Sequence, residues 1–314
     1  VLTVFNHFHS LWCSADFALH GWLTGVVPNE TLSLPTTICF MNYQIIQPET
    51  IVAALLDLVR KGHVKKLDND CFRLLNKSGL MRHEKNLVKW LFNEIGSGDE
   101  FSFDDIESYL KNKKNHQTYQ QLKSNWQKEV RAEIKEAGLY INKVKYRITV
   151  GLFSILLVPL IILFATHGLT ALAVTSIIIC LGLLLFAIFY YPKTLKGFKV
   201  TLELRHFKQE FPKLLASTWQ TLSDDDKMRA FIIGIGSNEK KLIKKNESLV
   251  NAFKTNEQQS STAYGFDPTW LIIAAAATAN FNSAEQSTGT GASSGGFTSG
   301  GTGTGGGGGG SGAF

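Results

Sequence analysis

From Ile148 to Tyr191 the chain carries no Lys, Arg, Asp or Glu. Ile, Leu, Val and Phe dominate this stretch, and Thr166-His167-Gly168 interrupts it near its middle. One helical crossing of a bilayer core takes about 20 apolar residues, so the stretch is too long for one span and suited to two. The pattern predicts a transmembrane hairpin. Its first helix is read as Ile148–Ala165, about 27 Å long at the rise of an α-helix. Its second is read as Thr170–Tyr191, about 33 Å long. The twelve Ile, Leu, Val and Phe residues between Thr170 and Phe189 favour insertion by about 4–7 kcal/mol. Pro159 lies inside the first span, where a neighbouring helix or side chain can satisfy the carbonyl it frees. Gly151, Ser154, Gly182 and Ala187 are small enough for close helix contact.

Flanking charge sets the orientation. Lys143, Lys145 and Arg147 precede the first span; Lys193, Lys196, Lys199 and Arg205 follow the second. The connecting turn has no fixed charge. Basic flanks stay cytoplasmic, so both ends of the hairpin are expected on that face of the cell membrane and His167 near the opposite one. Tyr190 and Tyr191 fit the aromatic belt of the inner interface. Neither span holds a carboxylate, Lys or Arg, which argues against a transport pathway formed by this hairpin alone.

The net charge of +6 is unevenly spread. All 32 Lys and Arg lie between Arg60 and Lys254; seven of the 26 acidic residues lie outside that block and 19 inside, so its net charge is +13. A basic block beside a membrane hairpin answers the anionic inner leaflet, at about 1 kcal/mol per cation close to the surface. Lys143, Lys145, Arg147, Lys193, Lys196 and Lys199 are therefore the expected membrane-surface residues. Nucleic-acid binding is the competing use of such charge.

The four cysteines, Cys13, Cys39, Cys71 and Cys180, have no Cys-x-x-Cys spacing and do not form a disulfide framework. The chain begins at Val1, and residues 1–33 read as an apolar segment of truncated membrane or interfacial character, without the basic leader of a signal peptide. His9, Cys13, Asp16 and His20 share one helical face. Four ligands along one straight helix cannot surround a tetrahedral ion, so they read as a polar stripe. Residues 280–314 are rich in Gly, Ser and Thr and are expected to be disordered. Trp270–Ala277 is apolar but too short to span, and is expected to pack on the cytoplasmic domain or at the interface.

Two winged-helix-like α+β modules are expected before the hairpin, over 34–80 and 81–147. In the first, Pro48 opens a helix at its first turn. Ile51, Ala54, Leu55, Leu58 and Val59 recur at helical spacing, and Gly62 ends it. Val64 and Leu67, a turn at Asp68-Asn69-Asp70, and Phe72 and Leu74 predict a short hairpin, with Arg60, Lys61, Lys65 and Lys66 decorating it. In the second, Leu87, Val88, Leu91, Phe92 and Ile95 share a helix face stopped by Gly96-Ser97-Gly98. Phe101-Ser102-Phe103 predicts a strand, and a short helix starts near Asp104. Leu122, Trp126, Val130 and Ile134 mark a long helix from about Asn115 to Ala137, ended by Gly138.

After the hairpin, residues 192–279 read as a helical region, with one helix over Gly197–Phe211 and another opened by Asp224-Asp225-Asp226. Gly234-Ile235-Gly236-Ser237 lacks phosphate-loop spacing and reads as a helix break. No catalytic motif or triad is present, so no catalytic, cofactor or metal residue is assigned and an enzyme is not expected. The fold class is a mainly α membrane protein: a two-helix transmembrane hairpin, cytoplasmic winged-helix-like modules and a disordered Gly-rich tail.

The order of these features resembles the YciQ-like predicted membrane proteins, a bacterial family with a carboxy-terminal domain of unknown function. The residues carrying the resemblance are Val52–Val64, Phe72-Arg73-Leu74, the apolar hairpin, Ala230–Gly236 and the terminal Gly run. It covers about Leu34 to the end and implies a multi-pass membrane protein with cytoplasmic winged-helix-like modules. Three roles follow as expectations. The first is a non-enzymatic scaffold or sensor adaptor that contacts the anionic inner leaflet and a protein partner. The second is a membrane-tethered DNA-binding regulator, disfavoured because Thr50–Val59 carries Asp57 and no basic residue. The third is an accessory subunit of a transporter or membrane enzyme.

Overall fold

The computed structural model describes residues 25–67, 71–141, 144–189, 192–246 and 269–289. The His9, Cys13, Asp16 and His20 stripe, the Asp68-Asn69-Asp70 turn, Lys143, Tyr190, Tyr191 and the Gly run beyond Gly289 lie outside those residues.

Helix α1 spans Leu34–Met41 and α2 spans Pro48–Arg60. Pro48 sits in the first turn of α2, where a missing N–H costs nothing. Gly62, at φ 74°, takes the left-handed position just past its end. The apolar spacing predicted one buried face, but every residue from Thr50 to Val59 is buried. A helix apolar on all sides is a central one, and α2 is wrapped by its neighbours.

Strands β1 (Val64–Lys66), β2 (Cys71–Leu74) and β3 (Glu100–Ser102) form one antiparallel sheet in that order. Val64 lies opposite Leu74 and Phe72 opposite Phe101. Because β3 pairs with β2, the expected boundary between residues 80 and 81 does not separate two modules. One hydrophobic core runs from Leu32 to Ala284 and draws on residues from both sides of the apolar stretch.

Helix α3 (Arg82–Val88) continues into a wider π-turn over Lys89–Ile95, closed by the Gly96 N–H donating to the Leu91 carbonyl at 2.9 Å. Trp90, Leu91 and Phe92 are buried in succession along it. Trp90 meets Tyr119 at 5.3 Å and Trp126 at 6.2 Å between ring centroids. Helix α4 (Phe103–Leu110) follows β3, and α5 (Asn115–Glu136) buries Trp126, Val130 and Ile134. Gly138, at φ 65°, ends α5 as expected.

Helices α6 (Val144–Thr166) and α7 (Thr170–Phe189) form the apolar hairpin. Beyond it lie α8 (Leu195–Glu210), a short 3-10 turn, α9 (Ala216–Thr221), α10 (Asp224–Gly236) and α11 (Thr269–Ser287). Ser223 caps α10 by accepting from the Asp226 N–H, and the three aspartates occupy its electropositive first turn.

One expectation is extended and one corrected here. The helix break read at Gly234-Ile235-Gly236-Ser237 is present: α10 ends at Gly236 with Ser237 as its C-cap, and helical residues resume at Lys240. Gly234 and Gly236 also serve the packing of α10. A Cβ on Gly234 would sit 2.6 Å from Asn246 Nδ2, and one on Gly236 would sit 2.4 Å from Ile38 Cδ1 and 2.8 Å from Ala53 Cβ. The region placed in the disordered tail from 280 onward is helical through Ser287. Phe281 and Ala284 extend the buried face of Trp270, Ile273, Ala274 and Ala277, and Phe281 lies 6.1 Å from Trp90 and 6.4 Å from Phe103.

Candidate membrane interface

The hairpin inverts the usual distribution of apolar surface. Leu152, Phe153, Ile155, Leu156, Ile162, Ile178, Leu181 and Leu185 are all more than half exposed, whereas the large apolar residues elsewhere are mostly buried. Contiguous exposed apolar surface on this scale marks a lipid or protein contact. Between the two helices the contact is narrow and made by small side chains. Ser154, Ala173 and Cys180 are buried there, and the Cys180 thiol donates to the Ser154 carbonyl at 3.3 Å. Gly151 leaves room for Ala187, whose Cβ would be 3.9 Å from a Cβ at that position. Gly182 meets nothing within 4 Å, so it faces outward and plays no part in the seam. At the turn, Gly168 adopts φ 74° and the Leu169 N–H donates to the Phe164 carbonyl at 2.9 Å, a left-handed C-terminal cap.

At the opposite end the chain enters and leaves the hairpin through a hydrogen-bonded neck. The Ile141 N–H donates to the Pro192 carbonyl at 2.8 Å and the Thr194 N–H to the Leu139 carbonyl at 2.9 Å. Tyr140 pairs antiparallel with Lys193. The Thr194 hydroxyl donates to the Gly138 carbonyl at 2.7 Å and caps α8 by accepting from the Gly197 N–H at 3.1 Å. Gly197 is required by space: a Cβ there would lie 2.0 Å from the Leu139 carbonyl oxygen. The neck thus joins the hairpin to α5 and α8, both of which contribute to the core.

The basic flanking residues fall into two groups. Lys145, Lys196 and Lys199 are exposed. Arg147 and Lys193 are turned inward. Arg147 Nε donates to the Ala187 carbonyl at 2.7 Å across the hairpin. Lys193 donates to the Thr201 hydroxyl at 2.8 Å and lies 5.0 Å above the Phe40 ring. Burial, with Arg205 nearby, pushes the Lys193 ammonium below its ordinary value. Arg147 and Lys193 therefore hold the neck together, a role that flanking charge in a sequence does not distinguish from surface attraction.

This geometry can be set beside known proteins. Residues 24–210 match the family model described as the carboxy-terminal domain of a predicted membrane protein, DUF2207. The match takes in more than half of the chain, the neck and both apolar helices. The chain belongs to this family. No curated protein and no solved structure matches it. In this family member two helices, Arg147–Thr166 and Thr170–Ala187, are long and apolar enough to cross a membrane.

A second ionisable cluster lies inside the core, and the long-range partners in it were beyond sequence reasoning. The Arg60 side chain is 8% exposed and pairs with Asp57 at 2.8 Å, Glu30 at 2.6 Å and Asp225 at 2.6 Å. Burial works against its charge, but the carboxylates outweigh it and raise the guanidinium further. Lys61 pairs with Asp57 at 3.0 Å and Glu84 at 2.7 Å. Burial alone would raise Glu84; hydrogen bonds from Lys61 and from the Met81 N–H reverse that and hold it below the ordinary carboxylate range. Glu133 accepts from the Ser33 N–H and hydroxyl and from the Thr36 hydroxyl, and lies 3.5 Å from His83 Nδ1. These groups neutralise one another across α2, α3, α5, α10 and the segment before α1. Among the described residues no group of three or more His, Cys, Asp and Glu side chains has the arrangement of a metal site.

Proposed function

We propose that the protein is a non-enzymatic, multi-pass scaffold or sensor adaptor of the cell membrane. The hairpin anchors it, and both hairpin flanks, the core and α11 lie in the cytoplasm, facing the anionic inner leaflet and a protein partner. The observation that carries this reading is the neck. It ties a hairpin exposed on nearly all sides to a core whose buried charges are paired with one another, so that displacement of one part is transmitted to the other. Exposed Lys145, Lys196 and Lys199 beside the neck suit an anionic leaflet.

The DNA-binding alternative needs α2 to enter a groove as a recognition helix, with a free polar face. Its surroundings favour the adaptor reading instead: Thr50–Val59 is buried, and Arg60 and Lys61 are engaged by carboxylates.

A proximity-labelling enzyme fused after Phe314 tests the role. The expected result is enrichment of a restricted set of membrane-associated proteins, lost when the hairpin is deleted. Recovery of bulk abundant proteins alone, with or without the hairpin, would contradict an adaptor.

A further inference from the structure

Helix α1 ends against the neck. Phe40 lies 5.4 Å from the Tyr140 ring and carries Lys193 above its face. The chain then makes an uncommon turn. The Gln44 N–H donates to the Cys39 carbonyl at 2.7 Å and the Ile45 N–H to the Asn42 carbonyl at 3.0 Å. This closure places Tyr43 at φ 54° and Gln44 at φ 65°, the left-handed region that glycine ordinarily fills. Two such residues in succession cost backbone strain. The strain has no packing return, because Tyr43 is 83% exposed and Ile45 57% exposed. Arg131 Nε steadies the loop by donating to the Gln44 carbonyl at 3.4 Å.

The neck itself exposes apolar side chains in the same way. Leu195, the first residue of α8, is 83% exposed, and Ile141, three residues before α6, is 43% exposed. On the segments that carry these side chains the charge is of one sign. Lys145, Lys196, Lys199 and Arg131 are exposed. There is no Asp or Glu between Glu30 and Glu49, nor between Glu136 and Glu203. The carboxylates nearest Arg131 on α5 are engaged elsewhere, Glu129 and Glu136 with Arg82 and Glu133 with Ser33 and Thr36. An aromatic and aliphatic rim whose own segments carry cations and no carboxylate, continuous with an apolar hairpin, has the composition of a bilayer interface.

We propose that Tyr43, with Ile45, Ile141 and Leu195, forms a collar that seats the core on the lipid headgroup region of the leaflet the hairpin enters. The collar holds the core against the bilayer at a fixed angle, rather than suspending it from the neck alone. This rests on the hairpin reading above and extends it to a surface on α1 that is far from the hairpin in sequence.

Photo-crosslinking tests it. p-Benzoylphenylalanine is placed singly at positions 43, 45, 195, 181 and 113 of the full chain, reconstituted in vesicles of phosphatidylcholine and phosphatidylglycerol in equal parts. Lipid adducts are counted by mass spectrometry. Leu181 marks the exposed face of the span, and Lys113 lies in the turn just before α5, beyond about 33 Å of helix from the neck. Adducts at 43, 45 and 195 several-fold above those at 113, together with adducts at 181, are expected. Adducts at 181 with 43 and 45 at the level of 113 would overturn the collar and leave the hairpin standing. Absence of adducts at 181 would overturn the hairpin, and the collar with it. Position 45 supplies an independent reading should the label at 43 disturb the turn.

Discussion

The hairpin and the core solve opposite problems with the same helical backbone. In the core the largest side chains are innermost: Trp90, Trp126, Phe72, Phe92 and Phe101 are essentially inaccessible, and charged groups that enter are paired. In the hairpin the largest side chains are outermost, and the seam is made of Gly151, Ser154, Ala173, Cys180 and Ala187. Water drives the first arrangement, because burying apolar area is favourable at about 25 cal/mol per Å². Lipid removes that drive between helices, leaving close contact of small residues to hold the pair. The same substitution should therefore act differently in the two regions.

Truncating an aromatic gives the widest contrast. Trp90→Ala should cost about 3–5 kcal/mol of unfolding free energy, as expected for emptying a packed aromatic site. Phe153→Ala, at a position 62% exposed in the hairpin, should cost less than about 1 kcal/mol in detergent, because it opens no cavity. Urea titrations in one detergent check both, and equal losses would erase the distinction drawn between the regions.

Adding a side chain to a glycine is the next contrast. Gly197→Val drives a Cβ into the Leu139 carbonyl and should cost about 3 kcal/mol, the upper end for overpacking. Gly182→Val meets open space and should leave the thermal midpoint unchanged. A neutral Gly197→Val would show that the neck is not the rigid joint described here.

Charge neutralisation follows. Glu84→Gln leaves Lys61 with Asp57 as its remaining carboxylate partner and should cost about 2 kcal/mol, near the penalty for a partly unsatisfied buried charge. Neutralising the more exposed Arg73–Glu100 pair should cost under about 1 kcal/mol. Chemical denaturation at neutral pH separates the two.

The smallest effect is in pH dependence. Burial lowers the His83 imidazole below its ordinary value, only partly offset by Glu133 and Glu84, with Lys61 and Asp57 also facing it. The unfolded chain then takes up a proton near pH 6.5 that the folded chain refuses. Stability should fall as pH drops from 6.5 to the lowered folded value, by at most about 1.4 kcal/mol per pH unit from this group. Glu84 acts later: its depressed folded pKa gives stability above 4.5 that is lost as pH falls through the folded value. His83→Gln should flatten the first decline and leave the second. An unchanged slope would assign the first decline to other groups.

How much of this was legible depended on whether the cause was local. The apolar stretch, the Pro48 start and Gly62 stop of α2 and the four-residue apolar spacing of α5 are local patterns, and the structure follows them. The resemblance carried by Val52–Val64 and the hairpin is matched by the family found. What failed involved contacts between distant segments. The β2–β3 pairing merged two expected modules, since two short strands look alike whether they pair with each other or separately. The π-turn at Trp90 follows from its aromatic neighbours on α5 and α11. Gly234 and Gly236 mark the end of α10 as their sequence suggests, but only Asn246, Ile38 and Ala53 reveal them as packing positions too. At the candidate interface, Lys145, Lys196 and Lys199 are exposed as charge counting suggests. Arg147 and Lys193 are engaged by Ala187, Thr201 and Phe40, partners that flanking-charge rules do not consider.

Membrane-impermeant maleimide labelling most directly tests whether the apolar pair crosses a bilayer and returns. Single cysteines are introduced as His167→Cys at the hairpin turn and Lys241→Cys beyond α10, in a chain whose own four cysteines are replaced. In intact cells, His167→Cys should label and Lys241→Cys should label only after permeabilisation. Labelling of both positions in intact cells, or of neither until the membrane is opened, would place them on one side and contradict the account.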